Sequence, residues 1–98
     1  MGWRLTPGDA SGDDARRSFD DAGCGAARSW SNGPGDRYGV HTHDRSKVLV
    51  CLEGSIVFHT DDGDVALTAG DRLDLTAGTP HAATVGPEGC ACIEAWGP

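Results

Sequence analysis

From Ser29 onward, β-rich runs recur about every eight to twelve residues, with glycine-rich turns between them. "ARSWS" reads as a short strand and "NGPGD" as a turn holding Gly33, Pro34 and Gly35. "KVLVCLEG" and "SIVFHT" read as two strands parted at Glu53-Gly54, and "DDGD" is the hairpin turn that carries "SIVFHT" into "VALTAG". "DRLDLTAG" alternates apolar and polar residues with a period of two, and "TPHAATV" and "CACIEAW" follow. No helix-period segment interrupts this region, which argues against a parallel α/β sheet. The pattern predicts an all-β fold, a small antiparallel barrel or jelly-roll sandwich.

The first 27 residues differ. Ser11 and Asp14 stand at capping-box spacing, Ala15, Phe19 and Ala22 follow at helical intervals, and Gly23 or Gly25 can end the turn. One short helix is predicted there, lying on the outside of the main body with Phe19 as its single large anchor. The chain thus divides into an N-terminal segment, 1–27, and a barrel, 28–98. At 98 residues it makes one domain near the lower end of comfortable size, and its 38% hydrophobic content is modest. Such a chain often gains stability by burying further surface in a dimer.

A net charge of −7 argues against nucleic acid, because phosphate binding needs a basic face. The opening has no apolar run after a basic start, and no stretch approaches the ~20 apolar residues of a membrane span. The expectation is a cytoplasmic chain with no membrane partner. The four cysteines, Cys24, Cys51, Cys90 and Cys92, are irregularly placed with no CxxC pair, and reduced thiols are expected.

In a strand, side chains at i and i+2 share a face, so His41 and His43 can converge on one point. His81 follows "GTP", a turn able to deliver a third imidazole from a neighbouring strand. Three neutral imidazoles on a β-frame suit a divalent transition metal such as Fe, Mn, Co, Ni, Cu or Zn, with positions left open for water or substrate. A lone HxH would be weak evidence; the surrounding glycines make it specific.

Gly35, five residues, His41-Thr42-His43, three residues, Lys47, six residues and Gly54 reproduce the first motif of the cupin family, with Lys47 where the family has Glu. Gly70, five residues, Thr76-Ala77-Gly78, two residues, His81, three residues and Val85 follow the second motif, with its Pro and terminal Asn changed. Over roughly residues 33–96 the chain resembles a cupin. That resemblance implies a small jelly-roll barrel with the three histidines lining its interior, and commonly a homodimer. It does not choose a reaction, since the family includes dioxygenases, isomerases, decarboxylases, sugar-binding modules and storage proteins.

Three readings of Lys47 stay open. It can stand beside a three-histidine metal as an acid, a base or an anchor for a substrate carboxylate. It can turn outward and pair with one of the many acids. Or it can mark a site that has lost its metal and holds an organic ligand or nothing. Glu94 or Cys92 could supply a further ligand if their side of "CACIEAW" faces inward. The expectation is instead that Ile93 faces the core and Glu94 faces solvent. His59 reads as a solvated strand end, Cys51 as a core residue, Tyr38 as a border of the pocket, and Trp30 and Trp96 as edge or interface residues. Arg37, Arg45 and Arg72 read as surface charges. Two functions follow: a metal-dependent enzyme, dioxygenase- or isomerase-like, on a small anionic or enolisable molecule, or a non-catalytic module that binds or senses a small ligand.

Overall fold

The computed structural model describes residues 2–98. Seven strands and one helix follow in the order β1 (Trp3–Thr6), α1 (Gly12–Asp21), β2 (Arg28–Asn32), β3 (Arg37–His41), β4 (Lys47–Thr60), β5 (Gly63–Thr68), β6 (Arg72–Leu75) and β7 (His81–Trp96). Every strand pairing is antiparallel. The path β1-β6-β4-β7-β2 runs through the long central pair, with β5 added along β4 and β3 along β7. The first half of β4 pairs with β6 and its second half with β5, while β7 takes β3 and then β2 along its length. Each long strand therefore serves both halves of a jelly roll.

Two predicted strand breaks are bends instead. Glu53-Gly54 lies inside β4, and "TPHAATV" and "CACIEAW" are both within β7. Between the pairs Gly54↔Cys90 and Ile56↔Val85, Ser55 alone faces the stretch from Gly86 to Gly89, so the ladder bulges without ending. Gly54 has φ +70°, and a Cβ there would sit 2.0 Å from the Gly89 carbonyl oxygen. Close backbone approach, rather than chain reversal, is what that glycine serves.

The bend lets one strand feed two cores. Leu49, Cys51, Ile56, Phe58, Leu73, Leu75, Val85 and Cys92 fill the barrel interior. Val48, Val50, Ile93 and Ala95 point to the other face and are covered by Ala15 and Phe19 of α1. The apolar run "VLVCL" thus has a partner on both parities.

The helix forms as its sequence dictates. Ser11 Oγ accepts from the Asp14 N–H and Asp14 Oδ2 accepts from the Ser11 N–H, both at 3.1 Å. At its end the Cys24 N–H donates to Phe19 O and the Gly23 N–H to Asp20 O, each at 3.0 Å, with Gly23 at φ +75°. This is a Schellman closure. Ala15 and Phe19 are buried, but Ala22 is the exposed cap residue rather than part of the packing stripe. Arg72 is not a free surface charge: its guanidinium lies over the Phe19 ring and bonds Ser18 and Asp74. β1 was not foreseen from sequence; four residues of irregular polarity give no period to read, and β6 supplies the pairing.

Candidate metal centre

The end of β3, the loop after it and the start of β7 bring three imidazoles together. His41 and His81 are cross-strand partners, so backbone pairing alone sets them side by side, with their ring planes tilted by 59°. His43 lies beyond the end of β3, and its convergence comes from the loop rather than from strand parity. The Gly78 N–H donates to the His43 carbonyl at 2.7 Å and ties that loop to the turn preceding His81. Ring centroids stand 4.3 Å (His41–His81), 4.9 Å (His41–His43) and 5.2 Å (His43–His81) apart. One nitrogen from each ring lies within 4.8 Å of the other two.

The hydrogen bonds orient these rings. His41 Nδ1 is 2.7 Å from Gly39 O and His81 Nδ1 is 2.9 Å from Thr79 O, so in each neutral ring Nδ1–H donates to a carbonyl. The Nε2 lone pairs are then left unprotonated. His43 Nε2 is buried and has no partner among the described residues. Burial holds the His43 and His81 pKa values below the usual histidine range; the Lys47 charge lowers both further, and at His81 the Thr79 carbonyl works in the opposite direction. Two of the three rings are thereby kept neutral near pH 7, the form that ligates metal. An orphaned buried nitrogen and two preset tautomers are what a three-histidine ion site needs.

A cavity of about 200 Å³ opens beside the cluster. His41, His81, Lys47 and Glu94 make its polar end, Leu49, Ile56, Phe58, Leu75 and Ala83 its apolar wall, and Trp30 and Tyr38 also border it. Tyr38 hydrogen-bonds Asn32, and its ring meets Trp30 edge-on at 6.3 Å. Trp96 closes the far side of His43, ring to ring at 5.1 Å.

Lys47 does not turn outward. It opens β4 facing this cavity, and its Nζ is 3.2 Å from Glu94 Oε1. The expectation for Glu94 is corrected: it is 6% exposed and accepts from Trp30 Nε1 at 2.7 Å and Arg28 Nη2 at 3.1 Å as well. The parity of "CACIEAW" had set Glu94 apart from Ile93, but α1 covers the Ile93 face, so both faces of that strand are buried. Trp30 joins the site for the same reason, as its register partner Cys92 faces inward. Cys92 itself is the register partner of Cys51, and its hydrogen bond with that thiol, then burial, push its pKa up, so it stays a protonated core residue. His59 lies apart, between Asp64 Oδ1 and Thr84 Oγ1 at 2.8 Å each.

A jelly roll with a histidine cluster at one mouth defines the class. The cupin domain pattern matches residues 30–95, and the chain belongs to the cupin family. None of the curated proteins matches it. Among solved structures it is similar to an RmlC-like cupin from Shewanella frigidimarina (29% identity, TM-score 0.65, covering 74% of this chain and 64% of that one). It is also similar to the DMSP lyases RdDddP and RnDddQII (27%, TM-score 0.63, 74% and 36%). A double-stranded β-helix protein from Klebsiella pneumoniae shares the fold (24%, TM-score 0.64, 74% and 65%). The chain therefore spans just under two thirds of the Shewanella and Klebsiella proteins. No helix among the described residues is long and apolar enough to cross a membrane.

Proposed function

We propose that this chain is a small metal-binding cupin in which His41, His43 and His81 hold one divalent transition ion through Nε2. In this reading it acts on a small anionic or enolisable molecule admitted to the adjacent cavity. The observation that carries it is the pair of Nδ1–carbonyl bonds at His41 and His81 together with the unpartnered, buried Nε2 of His43. Such an ion supplies Lewis acidity toward a carbonyl or enolate oxygen and, where redox-active, electrons. The protein's own residues do the rest. The imidazoles are oriented in advance, Lys47 and Glu94 set the charge of the polar end, and the apolar wall excludes water from one side of the ligand. The DMSP lyase likeness supports an enzyme as the outcome. Within this reading the chain works in the cytoplasm as a homodimer, the assembly common among cupins.

A second reading, binding or sensing without turnover, is favoured by one feature: His41 is exposed, which leaves the cluster open to water. The test is metal analysis of untagged protein purified without chelator, alongside His81→Ala. Stoichiometric metal lost in the variant supports the site; no uptake of Fe, Mn, Co, Ni, Cu or Zn by the wild type refutes it. Turnover that follows a redox-active ion then separates enzyme from sensor.

A further inference from the structure

Lys47 sits where the family pattern would put a carboxylate, Glu94 lies beside it on the neighbouring strand, and their arrangement says what the cavity can receive. Glu94 has more donors than it needs. Oε1 accepts from both Trp30 Nε1 and Lys47 Nζ, and Oε2 accepts from Arg28. If Lys47 moves away, the carboxylate keeps Trp30 and Arg28, so neither oxygen is stranded without a partner. Lys47 has no comparable set. Its Nζ has Glu94 and the Trp96 ring face 5.2 Å away, on a flexible stem that lines the cavity.

The charges point the same way. Two cations share this one carboxylate, Lys47 from within the cavity and the 60% exposed Arg28 from outside it, so Glu94 stays charge-paired when Lys47 turns to an entering anion. The rest of the lining is largely apolar, from Leu49, Ile56, Phe58 and Leu75. The 200 Å³ cavity has the liquid volume of about seven water molecules, room for a headgroup and a short tail of a small ligand.

We propose that Lys47 is the anion receptor of this cavity, held in reserve by Glu94 and handed over to the ligand, and that the ligand class is a small monoanion, a carboxylate or enolate, bearing an apolar tail of a few carbons. This deepens the reading given above and rests on it for the role of the cavity, but not for the metal. Glu94 is a competitor for Lys47 rather than its anchor, so removing its charge strengthens anion binding, and that gain depends on Lys47: it is absent when Glu94→Gln is combined with Lys47→Met.

Calorimetric titration with hexanoate tests this, using hexanamide as the uncharged control, on the full chain both EDTA-treated and Zn²⁺-loaded. The EDTA-treated wild type binds hexanoate at least about tenfold more tightly than hexanamide. Lys47→Met removes about tenfold or more of the hexanoate affinity, and Glu94→Gln raises it about threefold or more. Equal binding of the two probes, no binding in either form, an unchanged Lys47→Met or a weaker Glu94→Gln each overturns the proposal. Thermal melts accompany both variants; if Lys47→Met is unfolded, Lys47→Gln takes its place in the hexanoate and hexanamide comparison. A chain that takes up no Zn²⁺ yet shows this pattern refutes the metal site and leaves the proposal standing. One that binds hexanoate only when Zn²⁺-loaded, indifferent to Lys47→Met, overturns the proposal and leaves the metal site.

Discussion

Glu94 Oε1 lies 3.2 Å from Lys47 Nζ inside the barrel, with the two side chains only 8% and 15% exposed. The two residues sit on adjacent strands, β7 and β4, as a diagonal pair two residues apart in register, since Lys47 pairs with Trp96 and Leu49 with Glu94. The carboxylate that other cupins place at position 47 thus has a counterpart on the neighbouring strand, where Glu94 lines the same cavity as Lys47 and the histidines. Replacing Glu94 by Ala strands Lys47 and the Trp30 indole N–H together. A loss of about 3 kcal/mol in unfolding free energy is expected by urea titration, because breaking a buried pair leaves the remaining charge uncompensated. A loss below about 0.5 kcal/mol would show that the pair behaves like an exposed one.

Acid should weaken the metal-free fold through the histidine cluster. His43 and His81 have folded pKa values below the usual value, with burial as the leading cause. In the unfolded chain histidines titrate near about 6.5. Their contribution is therefore present above about pH 6.5 and is lost as the pH falls through the folded values. Stability of EDTA-treated protein declines from pH 7 toward 5.5, and His81→Gln flattens part of that slope. A slope identical in wild type and variant would remove His81 from the account.

Phe19 is the anchor of α1, at 1% exposure against Val48, Val50, Ile93 and Ala95. Phe19→Ala should cost about 3–5 kcal/mol by denaturant unfolding. Because the helix packs on the outer face, Zn²⁺ affinity of the folded variant should stay within about twofold of wild type. A large loss of affinity would mean that the helix braces the site.

Gly54→Ala tests the bend in β4. Its φ of +70° and a Cβ position 2.0 Å from Gly89 O leave no room for a side chain. Destabilisation above about 2 kcal/mol is expected from strain and backbone displacement, with a lower Tm as the readout. Gly63→Ala is the comparison: its φ is +113°, but a Cβ there has open space, so strain acts alone and the loss is smaller.

Much of the molecule was legible in the one-dimensional pattern because its causes are local. Period-two alternation and glycine spacing predict strands and turns, the Ser11/Asp14 capping box predicts where α1 begins, and motif spacing singles out His41, His43 and His81. What the chain could not state locally was which face of a strand would be covered. Ile93 and Glu94 alternate correctly, yet only the docking of Phe19 on one face and the closure of the barrel on the other bury both. The bends at Gly54 and Gly86–Gly89 look like strand ends in sequence, because a positive-φ glycine serves a turn and a bulge equally well. The partner of Lys47 is decided the same way. Residue types and spacing put a lysine beside the histidines, but the β4–β7 register, a contact across 47 residues of chain, sets Glu94 beside it.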